Sequence, residues 1–232
     1  MANETTSGLN FNRKIHLLLA LHTVIIPTEI AEPKILKKAL LFLNGELGKK
    51  HPDFADYHQI FATDGAYNKL RDIVPFHTVI GDFDSSQNIA AHIATIHTPN
   101  QDYTDFEKAL GYLIEQGFTS VDVYNAHGGD GDHYLGNLST AMKLNERIHI
   151  RFFSDDQIYY YVNRTTIIND IQDKMVSLFP FPQCVVSTQG LKWNVDKAAF
   201  TLGGNLGIRN LAIAEHIKIT CHKGGYFLFI GN

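Results

Sequence analysis

Cysteine is almost absent: the 232 residues contain only Cys184 and Cys221. Two thiols in strand-like runs do not make a disulfide framework, and burial as small apolar side chains is their default. A reducing, cytoplasmic setting is expected. An excess of charge of one sign is missing too. Twenty Lys+Arg stand against 24 Asp+Glu, a formal net charge of −4. That leaves no basic footprint for nucleic acid, so any anionic ligand must be held by local groups. A membrane-length apolar run is also lacking. Residues 15–26, after Arg13-Lys14, superficially resemble a secretory signal. His16, His22 and Thr23 interrupt them, no small-residue cleavage site follows Pro27, and the run is too short to cross a bilayer. No membrane partner is expected, and residues 1–33 read as an N-terminal extension packed on the body. The 12 histidines show no paired spacing with a third ligand. Trp193 is the one tryptophan.

What the chain does have is acidic loops placed after strand-like segments. Thr78-Val79-Ile80 reads as a strand end, and Gly81-Asp82-Phe83-Asp84-Ser85 follows it directly. In open α/β sheets ligands bind beyond the carboxyl ends of the strands. A second acidic stretch, Gln101-Asp102-Tyr103-Thr104-Asp105-Phe106-Glu107-Lys108, leads into residues 106–116. There Phe106, Ala109, Leu110 and Leu113 fall at helical spacing. Thr104 and Glu107 have the spacing of a capping box. Either stretch alone is an ordinary solvated turn or cap. A third, Asn125-Ala126-His127-Gly128-Gly129-Asp130-Gly131-Asp132-His133, lies between an apolar segment at 121–124 and a helical one at 134–144. A glycine-rich strand-to-helix turn lets backbone N–H groups approach phosphate oxygens. Carboxylates on adjacent loops suit a hard divalent cation such as Mg²⁺, which often shares its shell with substrate phosphates. Together these features point to nucleotide chemistry.

Strand-like segments at 39–43, 60–62, 78–80, 93–97, 121–124 and 149–153 alternate with helical ones. That pattern predicts an α/β domain with a mainly parallel, three-layer sheet over residues 34–154. Asp64-Gly65 reads as a turn, with a helix starting at Ala66. After Ser154 the rhythm changes to short β-rich runs: 157–162, 165–168, 174–179, 184–188, 199–202, 217–221 and 226–230. Turn residues such as Lys223-Gly224-Gly225 separate them. An antiparallel sandwich or barrel over 155–232 is expected.

In order along the chain, Asp64-Gly65-Ala66-Tyr67-Asn68, Gly81-Asp82-Phe83-Asp84-Ser85, the 101–108 stretch, the glycine turn ending Asp132-His133, and Gly190-Leu191-Lys192-Trp193 resemble thiamine pyrophosphokinase. Asn137-Leu138 and Asn210 fit as well, and the likeness runs from about residue 39 to the C-terminus. It implies an ATP-binding α/β domain, a thiamine-binding β-domain, and a homodimer with active sites between subunits. The reaction it implies moves a pyrophosphoryl group from ATP to the hydroxyethyl oxygen of thiamine, leaving AMP. Asp82, Asp84 and Asp105 match the Mg²⁺-binding carboxylates. Asp64, Gly65, Asn68, Lys108, Gly128, Gly129, Asp132 and His133 match the nucleotide site. Gln101, Thr104, Trp193 and Asn210 match the thiamine site.

Several readings stay open at this level. Asp102 and Asp105 are both candidates to take the alcohol's proton. Lys108, one turn after Asp105, faces phosphate or pairs with a carboxylate. Trp193 stacks on the cationic vitamin or fills the core of the β-domain. Two positions depart from the family pattern: Asp130 stands where Arg is usual, and Arg209-Asn210-Leu211 replaces Ser-Asn-Glu. Arg209 either supplies across a subunit interface the charge that position 130 lacks, or is a solvated strand residue. The alternatives to thiamine pyrophosphokinase activity are a related enzyme using another small alcohol, and a nucleotide- or thiamine-binding protein without turnover.

Overall fold

The computed structural model describes residues 37–84 and 88–231. The expected extension, residues 1–33, and Ser85 lie outside the described residues. Strand β1 (Lys38–Phe42) forms from a run apolar on both faces, the pattern of a strand covered on both sides. Its neighbours are β2 (Gln59–Thr63), β3 (Thr78–Gly81), β4 (Ala94–His97), β5 (Ser120–Tyr124) and β6 (His149–Phe153). All pair in parallel, in the order β6-β5-β1-β2-β3-β4. The crossovers carry helices α1 (Asp64–Leu70), α2 (Asp105–Glu115) and α3 (Gly131–Leu144).

The period-two alternation of β1 divides the helices between the faces. Ala39 and Leu41 share a core with Phe106, Leu110 and Leu113 of α2 and with Leu138 and Ala141 of α3. Leu40 and Phe42 point the other way, into a core with Ala66, Tyr67 and Leu70 of α1. These are the expected three layers.

One carboxylate is buried under the α1 side of the sheet. Asp122 of β5, 2% exposed, accepts two bonds from Arg151 at 2.9 and 2.8 Å and one from the Tyr57 hydroxyl at 2.8 Å. It also pairs with Lys38 at 2.9 Å. Removing one member of a buried ion network leaves the others uncompensated, at a cost of about 3–5 kcal/mol. Both cations here keep some contact with water, so Asp122→Ala is expected at or below the low end, about 2–3 kcal/mol. Urea unfolding midpoints at constant m-value check this.

Pairing changes from parallel to antiparallel between β6 and β7 (Gln157–Val162). Strands β8 (Thr166–Ile168), β9 (Met175–Gln189), β10 (Ala198–Thr201), β11 (Gly207–Leu211) and β12 (Ile217–Gly231) follow. Each pairs antiparallel, with β9 and β12 side by side at the centre. Val162, Val176, Leu178, Val186, Ile219 and Leu228 lie within their shared core. The chain is thus a parallel α/β region followed by an antiparallel β region, joined in one sheet.

The expected runs 174–179 and 184–188 are one strand, β9, and 217–221 and 226–230 are one strand, β12. Lys223-Gly224-Gly225 is not a turn but an irregular stretch inside β12. A Cβ on Gly225 would fall 2.0 Å from the Tyr161 hydroxyl, and one on Gly224 would fall 2.0 Å from the Gln183 carbonyl oxygen. The glycines are there for close approach. Among the described residues no helix is long and apolar enough to cross a membrane.

Candidate active site

The loops after β1, β2, β3, β4 and β5 meet at the carboxyl edge of the parallel sheet. Asp64 does not sit in a turn; it is the first residue of α1 and is buried. Its Oδ1 accepts from the Gly65 N–H at 2.6 Å and its Oδ2 from the Phe83 N–H at 3.2 Å. Gly81 makes room for it, since a Cβ there would lie 2.6 Å from the Asp64 carboxyl carbon. Burial pushes the Asp64 carboxyl above the usual carboxylate range. The two N–H bonds pull it back, and the charges of Asp105 and Asp82 push it up again.

A carboxyl whose pKa rises on folding destabilises the fold once ionised. The penalty is absent at acid pH, where the group is protonated in both states. It grows as pH rises through the unfolded value and is complete above the folded one. Asp64→Asn is therefore expected to raise Tm at pH 7 in metal-free buffer, with the gain shrinking toward pH 4. Thermal scans across that pH range check it, and a gain that is largest at acid pH contradicts the reading.

Asp82 is held in the opposite sense. The Gln101 side-chain amide donates to its Oδ2 at 3.0 Å and the Asp84 N–H to its Oδ1 at 3.2 Å. These bonds, the Gln101 one foremost, keep its carboxyl below the ordinary range. Gln101 therefore ties the second acidic loop to the first. Asp84 and Asp102 are exposed, and the Asp102 N–H donates to the Asn100 side chain at 2.7 Å.

Asp105 opens α2 and pairs with Lys108 at 2.7 Å. The Lys108 side chain, 7% exposed, also donates to the Thr98 carbonyl at 3.1 Å. Of the two sequence readings of Lys108, the structure shows carboxylate pairing. Thr104 caps α2 by accepting from the Glu107 N–H at 3.2 Å. The Glu107 carboxylate, expected to complete the capping box, instead takes Lys143 of α3. Lys143 in turn lies over the Tyr103 ring.

In the glycine turn, Gly128 and Gly129 take left-handed φ of 79° and 77°. Helix α3 begins at Gly131, earlier than the pattern at 134–144 predicts, so Asp132 and His133 fall in its first turn. The Asp132 carboxylate accepts from the His133 N–H at 2.8 Å. Asp130 is the N-cap residue, where a negative charge favours the helix dipole.

Sequence reasoning missed the loop after β1. The Gly45 N–H donates to the Asn125 carbonyl at 2.9 Å and the Glu46 N–H to the His127 carbonyl at 2.8 Å. Lys69 of α1 donates to the Asn44 carbonyl at 2.9 Å. The signal was the Asn44-Gly45 pair closing the first strand. Asn68 is exposed on α1.

Trp193 and Asn210 belong to the antiparallel region. The Trp193 ring is 58% exposed, which removes the core reading. Lys192 Nζ lies 4.7 Å from the ring centre. Asn210 is turned toward the tryptophan's own backbone, accepting from its N–H at 3.1 Å and donating to its carbonyl at 2.8 Å. Arg209, at φ 56°, lines a cleft of about 420 Å³ with Asp156, Met175 and Ser177. Among the described residues no hydrogen bond or ion pair links Trp193 or Asn210 to the acidic loops.

The acidic edge offers oxygen donors only, the set a hard divalent cation takes. Asp64 feels the charges of Asp82 and Asp105, while Lys108 acts on Asp82 and pairs with Asp105. Among the described residues no three His, Cys, Asp or Glu side chains already enclose an ion position. The residues fit Mg²⁺ by chemistry and charge, and the shell would be completed by water and phosphate.

Residues 54–152 match the thiamin pyrophosphokinase catalytic domain and residues 164–225 its vitamin B1 binding domain. The chain is 27% identical to rice (Oryza sativa subsp. japonica) thiamine pyrophosphokinase 1 over 161 residues, 60% of each chain. To rice thiamine pyrophosphokinase 3 it is 26% identical over 220 residues, 78% of this chain and 82% of that one. The crystal structure of thiamine pyrophosphokinase from Bacillus subtilis superposes with a TM-score of 0.71 at 22% identity, over 84% of this chain and 99% of that one. That last likeness shows the fold. With both regions matched in order, the chain belongs to the thiamine pyrophosphokinase family.

Proposed function

We propose that this chain transfers the pyrophosphoryl group of ATP to the hydroxyethyl oxygen of thiamine, giving thiamine diphosphate and AMP in a Mg²⁺-dependent reaction. The observation that carries the reading is the joint presence of both family domains and an acidic sheet edge built around Asp64, Asp82 and Asp105. Residues 34–154 serve ATP and residues 155–232 thiamine. The enzyme works as a homodimer that brings the two regions together between subunits.

In the transfer the acceptor O–H loses its proton, an O–Pβ bond forms, and the bond from Pβ to the bridging oxygen breaks. Its electron pair leaves on AMP. Asp82, Asp84 and Asp105 would hold Mg²⁺, which would supply neutralising charge at the phosphate oxygens. The protein's own contribution is position and charge. Gln101 and the Asp84 N–H keep Asp82 ionised and oriented. Lys108 fixes Asp105 at the start of α2. With Asp105 given to both the metal and Lys108, Asp102 is the carboxylate left to take the alcohol's proton. The Gly128-Gly129 turn, Asp132, His133, Asp64, Gly65 and Asn68 serve the nucleotide. Trp193 offers its ring to the acceptor.

The test is acceptor choice. Full-length protein with ATP and Mg²⁺ is expected to release AMP with thiamine far faster than with the isolated thiazole alcohol or other small alcohols. Equal or better turnover of another alcohol overturns the substrate, and ATP hydrolysis independent of any acceptor overturns the transfer.

A further inference from the structure

We infer that Asn210 acts on the acceptor only through Trp193: it is a positioning residue that clamps the tryptophan's backbone and does not touch the vitamin. The inference rests on the proposed function, in which the Trp193 ring meets thiamine.

The hydrogen-bond inventory of one amide side chain leads to it. Asn210 Oδ1 accepts from the Trp193 N–H at 3.1 Å and from the Leu211 N–H at 2.9 Å, so both acceptor sites are used. Its Nδ2 donates to the Trp193 carbonyl at 2.8 Å, leaving a single N–H. An amide committed in this way has little left for a ligand. What it secures is both polar groups of one residue's backbone, across a separation of 17 positions.

The surrounding segment makes the clamp matter. A large ring that is 58% exposed gets little hold from packing, so its direction depends on how its backbone is fixed. The Lys192 N–H donates to the Leu211 carbonyl at 2.8 Å, and Leu191 bridges Ala212. On the far side the Asn194 carboxamide oxygen accepts from the Leu191 N–H at 3.1 Å. The Leu191–Asn194 segment is thereby closed on itself, and Asn210 is the side chain that holds its tip. Arg209 at φ 56° forms the irregularity between Gly207 and Asn210 where β11 departs from regular pairing with β9. A bulge of this kind re-aims the residues beside it, and here it delivers Asn210 to the tryptophan.

Trp193 is the only tryptophan, so its fluorescence reports on the clamp without a label. Asn210→Ala is expected to lower its steady-state anisotropy. Asn210→Asp, which keeps the acceptor and loses the donor, should lower it less and serves if the alanine variant folds poorly. In kinetics, Asn210→Ala should raise the thiamine KM about tenfold with kcat nearly kept, a coupling of about 1.4 kcal/mol through the tryptophan. The deciding measurement is the cycle of Asn210→Ala and Trp193→Ala. In the Trp193→Ala background, Asn210→Ala should change the thiamine KM by less than twofold. A second tenfold loss there means that Asn210 contacts the acceptor directly and overturns the inference, as does unchanged anisotropy in both variants. If anisotropy falls but neither variant alters the thiamine KM, the clamp stands and thiamine stacking on Trp193 fails.

Discussion

Asp82→Asn is expected to lower kcat by about 10²–10³-fold while leaving Tm within a few degrees of wild type. The swap is isosteric, and Asp82 lies at a partly exposed loop position, so the fold loses little. What goes is a charged oxygen that Gln101 and the Asp84 N–H hold ionised. Asp84→Asn and Asp105→Asn should behave alike. A second consequence separates metal binding from general damage: the Mg²⁺ concentration for half-maximal rate should rise in each variant. Three variants with wild-type rates at limiting Mg²⁺ would end the metal assignment. Asp105 carries a further signature, because its loss frees Lys108, whose ammonium is nearly buried. Asp105→Asn should therefore cost more stability than Asp84→Asn, whose parent carboxylate is exposed.

Trp193→Ala should raise the thiamine KM about 10- to 30-fold, the range of a cation–π contact that becomes desolvated when the acceptor binds. Its Tm should barely move. A buried aromatic cut to alanine costs about 3–5 kcal/mol, but this ring is 58% exposed and has little packing to lose. Trp193→Phe should recover part of the affinity. Lys192 sharpens the expectation, since its ammonium sits 4.7 Å from the ring centre. A cationic acceptor must take the other face or displace it, so Lys192→Ala is expected to lower the thiamine KM. A large drop in Tm for Trp193→Ala, or unchanged thiamine kinetics, contradicts the stacking role.

The parallel half of the fold was legible because its signals are local. Short apolar runs bounded by turn residues, such as Ala39-Leu40-Leu41-Phe42, read as strands covered on both faces, and Phe106, Ala109, Leu110 and Leu113 mark the buried stripe of α2. The antiparallel half was harder because its meaning lies in pairing. The runs 174–179 and 184–188 read as two strands, yet β9 continues through Pro180 and Pro182. Strand β11 escaped notice because Gly207-Ile208-Arg209-Asn210-Leu211 has no clean alternation, and its register slips between Gly207 and Asn210.

The candidate site divides in the same way. That carboxylates gather beyond the strand ends could be read from motif spacing and family likeness. Local pairs such as Asp105 with Lys108 were readable too, but the bonds that join separate segments were not. Gln101 reaches Asp82, Lys108 reaches Thr98, and Asn210 reaches Trp193. Asp64 was expected among the nucleotide positions, and its electrostatic share in the acidic cluster emerged only with Gly81 packed against it.

The central claim is that the β- and γ-phosphates of ATP move together to thiamine. Purified full-length protein given Mg²⁺, thiamine and ATP labelled at the β-phosphorus tests it in one measurement. The account predicts that label appears in thiamine diphosphate in step with unlabelled AMP, one for one, and that both stop when Mg²⁺ is chelated. Label retained in ADP while thiamine monophosphate forms, or label released as free pyrophosphate with thiamine unchanged, would contradict it.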